Sequence, residues 1–184
     1  MIDKALWAKN SYAPHAKTTN VDGVEMVSFP LSTNNDEHLK LATKLLLELG
    51  CKASRKDESN YESNYRQVIG DIRVVDLLKT NGADLSIATE IEHWAYFKTV
   101  KKAFKYAVLV QRTGFKVMQI GKSKNDKEIL VKFSHIGTLE HQDISSKTLK
   151  LGNVAEGFGG NYDGWEVTVD RSGNLVPAKQ LEAQ

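Results

Sequence analysis

Apolar positions along this chain change period repeatedly, and each change marks an element. Val24, Met26, Val27, Phe29 and Leu31 predict a strand, ended by Pro30 and the cluster Ser32-Thr33-Asn34-Asn35. Leu39, Ala42, Leu46 and Leu49 then recur at helical spacing, with Asn34 or Asn35 as N-cap and Asp36 and Glu37 favourable in the first turn. Gly50 stops that helix, and Cys51 to Ser54 can return as a strand. Residues 1–60 therefore predict an N-terminal β-α-β unit, preceded over residues 1–20 by an arm without a clean period. Arg55 to Asn64 is charged and polar and reads as a linker. Tyr65, Val68, Ile69, Ile72 and Val75 predict a helix from about Glu62 to Thr80, although Gly70 weakens its interior by up to about 1 kcal/mol.

From Glu90 the pattern alternates with period two. Ile91, His93, Ala95 and Phe97 fall on one face of a strand, and Trp94 and Tyr96 on the other. Val100, Ala103, Phe104, Ala107 and Val108 give the next helix, ended by Gly114 and followed by a strand from Phe115 to Ile120. Ile129, Val131 and Phe133 mark a returning strand. A last helix starts near Asp143 with the stripe Ile144, Thr148, Leu151, Ala155 and Phe158. The fold class is α+β. Residues 61–184 predict a ferredoxin-like β-α-β-β-α-β domain with an extra helix in front.

The densest punctuation lies at Gly159-Gly160-Asn161-Tyr162-Asp163-Gly164-Trp165-Glu166. Gly159 or Gly160 can close the helix in the left-handed conformation, and Asn161, Asp163 and Gly164 tolerate turn geometry. Trp165, Val167 and Val169 then alternate as a half-buried strand. One reading is purely structural: Gly159, Gly160, Gly164 and Trp165 hold a helix-to-strand connection. The other adds an exposed partner-binding site at Tyr162, Asp163 and Glu166.

Composition narrows the function without naming it. The 184 residues carry a net charge of +2 with acids and bases interspersed, so nucleic acid is not demanded as a partner. Cys51 is the only cysteine, which excludes an internal disulfide and suits a reducing compartment. The longest apolar run, Tyr106 to Val110, is too short to span a bilayer, and a soluble, cytoplasmic protein is expected. Neither a Gly-rich phosphate loop, a nucleophile elbow nor a zinc-type Cys/His spacing occurs, so no cofactor, metal or catalytic residue is assigned. His93 beside Glu92 could join Asp163 and Glu166 as an acid–base group if their strands are neighbours; a histidine hydrogen-bonded within the sheet is the alternative. His135 and His141 read as surface or loop residues. Trp94 and Tyr96 near Lys98, Lys101 and Lys105 suggest a face for RNA, although no RNA-recognition signature accompanies them.

An ordered set of short motifs resembles a known family. Leu77-Leu78, Gly82-Ala83-Asp84, Ile91-Glu92-His93, Gly114-Phe115-Lys116-Val117, Leu151 with Ala155-Glu156, and Tyr162-Asp163-Gly164-Trp165 are similar in order and separation to RraB, the bacterial inhibitors of ribonuclease E. The similarity covers about Asp71 to Val169. It implies a ferredoxin-like, non-catalytic protein that binds a ribonuclease and inhibits it. On the same scaffold, an immunity protein neutralising a toxin nuclease in bacterial competition is the alternative, and an RNA-binding module a third reading.

Overall fold

The structure, a computed structural model, describes residues 17–21, 24–28, 36–51, 58–123, 127–170 and 174–178. By its internal contacts the chain divides into two compact units, residues 1–74 and 75–184, and the division falls inside a helix.

In the first unit, strands β1 (Lys17–Val21) and β2 (Val24–Ser28) form an antiparallel hairpin with Lys17 opposite Ser28 and Val21 opposite Val24. Part of the expected N-terminal arm is thus a strand. Its residues Lys17-Thr18-Thr19-Asn20 carry no apolar alternation, and β-branched threonines suit a pleated strand without one. Helix α1 (Asp36–Glu48) follows, with Leu39, Ala42, Leu45 and Leu46 buried. Gly50, at φ +75°, closes it, and the Cys51 amide donates to the Leu46 carbonyl at 2.8 Å. The described order here opens β-β-α, in which Val24–Ser28 and Asp36–Glu48 are the expected strand and helix and Lys17–Val21 is an added strand. The return strand expected at Cys51–Ser54 lies, beyond Cys51, outside the described residues. Helix α2 (Glu58–Thr80) begins a turn before its expected start, so most of the presumed linker, from Glu58 to Asn64, is helical. Tyr65, Val68, Ile69, Ile72 and Val75 are buried on it as their spacing requires.

The second unit is built on a four-stranded antiparallel sheet, comprising β3 (Thr89–Phe97), β4 (Lys116–Lys122), β5 (Ile129–Gly137) and β6 (Gly160–Val167) in the spatial order β4-β5-β3-β6. Helix α3 (Val100–Arg112) connects β3 to β4, and α4 (His141–Gly157) connects β5 to β6. Thr99 caps α3, its hydroxyl accepting from the Lys102 amide at 3.4 Å. Along β3 burial alternates strictly, Thr89, Ile91, His93, Ala95 and Phe97 being buried and the residues between them half-exposed. One face of the sheet therefore carries the core, and the other, more open face is half-exposed along β3.

The main core joins Ala95, Phe97, Val131, Phe133 and Tyr162 of the sheet to Ala103, Tyr106, Ala107 and Val110 of α3 and Leu151 and Ala155 of α4. Tyr106 donates its hydroxyl to the Leu151 carbonyl at 3.3 Å, tying the two helices together. A second cluster holds Ala83, Ile91, Leu139, Ile144 and Leu175, with Trp165 packed half-buried against it. Leu175 is 3% exposed and Ala178 8%, so among the described residues the stretch after β6 contributes two to the interior.

Two expectations for this unit need correction. Strand β5 runs to Gly137 instead of ending near Phe133, which places His135 in the sheet rather than in a loop. Strand β6 begins at Gly160 rather than Trp165, so Asn161 to Gly164 are strand residues and not a turn.

Candidate functional site

The stretch from Gly159 to Glu166 is positioned by two glycines with different tasks. Gly159 takes φ +67° and turns the chain out of α4, as a residue after a helix end does. At Gly160 the constraint is space: a Cβ there would lie 2.2 Å from Phe97 Cε1 and 2.7 Å from the Tyr96 carbonyl. The backbone of β6 therefore crosses β3 at a distance only glycine allows. The ladder then slips once. Tyr162 faces Ala95 and Gly164 faces Trp94, leaving Asp163 as the extra residue of a β-bulge, with Gly164 at φ +129°.

The slip sorts the predicted site residues between the two faces. Tyr162, 9% exposed, turns into the core, and its hydroxyl meets His93 Nδ1 at 2.8 Å. It is thus no surface anchor. Asp163 and Glu166 are exposed. Trp165 sits opposite His93, on the helix side.

His93 is fully buried. Its Nε2 lies 3.0 Å from His135 Nδ1, so Tyr162, His93 and His135 form one hydrogen-bonded thread through the core. Phe133 stacks on the His93 ring at 5.2 Å, and Phe115 meets it edge-on at 5.6 Å. Burial, with His135 and Lys147 nearby, pushes the His93 pKa down to about 3. Burial and then Lys147 lower His135 to about 4, against an opposing pull from Asp143. Both imidazoles are neutral at neutral pH. His135 reaches a hollow of about 580 Å³ lined also by Lys116 and Lys147.

Strands β3 and β6 are neighbours, as an acid–base group would need, but the sheet lies between its members. Glu92, Asp163 and Glu166 stand on the open side while His93 is sealed within the core. A histidine held inside the sheet is what the structure shows.

The open face carries the remaining polar chemistry. Register places Trp94 opposite Lys132 and Gly164, Tyr96 opposite Leu130 and Asn161, and Glu92 opposite Ser134 and Glu166. Lys132 Nζ lies 2.9 Å from Glu92 Oε2 and 5.2 Å from the Trp94 ring centroid. Ser134 donates to Glu90 Oε1 at 2.7 Å. Beside them Trp94, Tyr96, Glu128, Leu130, Asn161 and Asp163 line a depression of about 460 Å³. The charges on this face are mainly acidic. Lys101 and Lys105 belong to α3, whose buried side packs on the opposite face, so they do not join Trp94 and Tyr96 in an RNA platform. Lys132 was the residue sequence reasoning passed over. Its signal was its outward place in the alternation Ile129, Val131, Phe133, and the pairing with β3 that gives it meaning is set by the fold.

Among the described residues no helix is long and apolar enough to cross a membrane. The family model for RraB, regulator of ribonuclease activity B, matches residues 68–167, more than half of the chain. No curated protein matches it.

Proposed function

The chain belongs to the RraB family of regulators of ribonuclease activity, and from that membership we propose that it binds a ribonuclease and inhibits it without turnover of its own. The family match over residues 68–167 carries the reading. Two features of the second unit support it. The order β-α-β-β-α-β on an all-antiparallel sheet fits a ferredoxin-like scaffold. The one histidine next to the acidic residues is withdrawn from them into the core, which suits a protein that works by contact. Asp163 and Glu166, exposed on the free face of β6, are the proposed contact residues, and the cytoplasm is the proposed place of action. Ribonuclease E is the first enzyme to test.

The experiment is an RNA-cleavage assay with the purified nuclease and increasing amounts of this protein. Inhibition that saturates at a fixed molar ratio supports a binder. Inhibition that grows with time at trace amounts means an enzyme, and inhibition relieved by excess RNA means masking of the substrate. Either of those results overturns the proposal.

A further inference from the structure

The open sheet face already holds one cation in a defined manner. The Lys132 ammonium is shared between the Glu92 carboxylate, at 2.9 Å, and the Trp94 ring, at 5.2 Å. This is a carboxylate and an aromatic face acting together on one positive charge. One row along the sheet the same ingredients recur. Tyr96 supplies the ring, and Asp163, the extra residue of the bulge, supplies a carboxylate lining the 460 Å³ depression, as does Glu128. A further carboxylate, Glu166, stands directly opposite Glu92 across the β3–β6 ladder. Directly opposed like charges are unfavourable, and a cation between or beside them relieves the repulsion.

Resting on the ribonuclease-binding reading, we propose that the partner engages this face through an arginine-bearing extended segment. One guanidinium enters the depression over Tyr96 and bonds to Asp163, and a neighbouring basic residue reaches Glu166. Arginine fits better than lysine because its planar group can stack on a ring and offer a fork of N–H donors to a carboxylate at once. Nucleic acid fits poorly. By register this face sets Glu90, Glu92, Asp163 and Glu166 against Lys116 and Lys132, of which Lys132 is already engaged, and phosphates would be repelled.

The test uses the full chain, ¹⁵N-labelled, titrated with an oligo-arginine peptide and followed by NMR. The Trp94 indole N–H and the Gly164 amide should shift saturably, and added salt should weaken the effect. The same peptide with citrulline in place of arginine should leave them still, since it keeps the shape and removes the charge. Asp163→Asn and Glu166→Gln alter exposed residues, so the fold is expected to persist, and each should weaken binding about tenfold. Absence of a saturable shift overturns the proposal, as does undiminished binding by both variants. So does an oligouridine that moves these resonances where oligo-arginine does not. The two readings fail separately. If oligo-arginine binds as described but no ribonuclease is inhibited, the inhibitor reading falls and this one stands. If inhibition is unchanged in the double variant, the face is not the one used and the inhibitor reading survives.

Discussion

Acid should loosen the second unit well before its carboxylates are neutralised, and His93, together with His135 beside it, should be the cause. The imidazole is fully buried and neutral, with a pKa pushed from 6.5 to about 3. In the unfolded chain it titrates near 6.5, so below that pH the unfolded state binds a proton that the folded state refuses. Stability therefore falls as pH falls, from about 6.5 down to about 3, and is fully present above 6.5. One pKa unit corresponds to about 1.36 kcal/mol, so the whole shift represents about 5 kcal/mol, of which about 2 is lost by pH 5. Domains of this kind are stable by only about 5–15 kcal/mol, which makes such a loss easy to see. The assay is urea denaturation at pH 7.5, 6 and 5, compared with a His93→Phe variant. The variant should be weaker at pH 7.5, having given up two hydrogen bonds worth about 1 kcal/mol each. Across the same pH range its stability should fall less than that of the wild type. A difference between the two proteins that stays constant from pH 7.5 to 5 would refute the reasoning.

Three further outcomes follow from the packing and the surface. Gly160→Ala should destabilise by about 1–3 kcal/mol, because the added methyl meets Phe97 and the Tyr96 carbonyl, and a wild-type melting temperature would count against the close crossing. Trp165→Ala should lower the unfolding free energy, by less than the ~3–5 kcal/mol of a fully buried tryptophan, since Trp165 is half-buried against the second cluster; an unchanged melting temperature would count against that packing. Asp163→Lys with Glu166→Lys should abolish inhibition of the ribonuclease, while calorimetry shows a stability changed by no more than exposed sites allow, about 0.5 kcal/mol each.

Where local pattern and tertiary setting agreed, the chain could be read directly. The alternation through Ile91, His93, Ala95 and Phe97 and the stripe Ile144, Thr148, Leu151 and Ala155 both return as buried faces. The misreadings share a cause: a long-range partner makes an unpromising segment regular. Asn161-Tyr162-Asp163-Gly164 has turn composition, yet pairing with β3 extends it and turns one residue into a bulge. His135 looked like a loop residue because a polar side chain facing the core needs a partner, and that partner, His93, lies 42 positions earlier. Asp163 and Glu166 were visible as candidates. Their setting was not, because Glu92 faces Glu166, and Lys132 reaches Trp94, only once the register of three strands is fixed.

The thread of Tyr162, His93 and His135 has a further property. Each of its two links, at 2.8 and 3.0 Å, holds one hydrogen, and a neutral imidazole carries one N–H. If Tyr162 donates to His93 Nδ1, then His93 donates from Nε2 to His135, whose hydrogen must sit on its own Nε2. If His135 donates instead, His93 donates to the Tyr162 oxygen and the outer His135 Nε2 is bare. No mixed arrangement keeps both links. The tautomers of two histidines 42 residues apart in the chain are thus a single variable with two settings, which imidazole ¹⁵N shifts would read together.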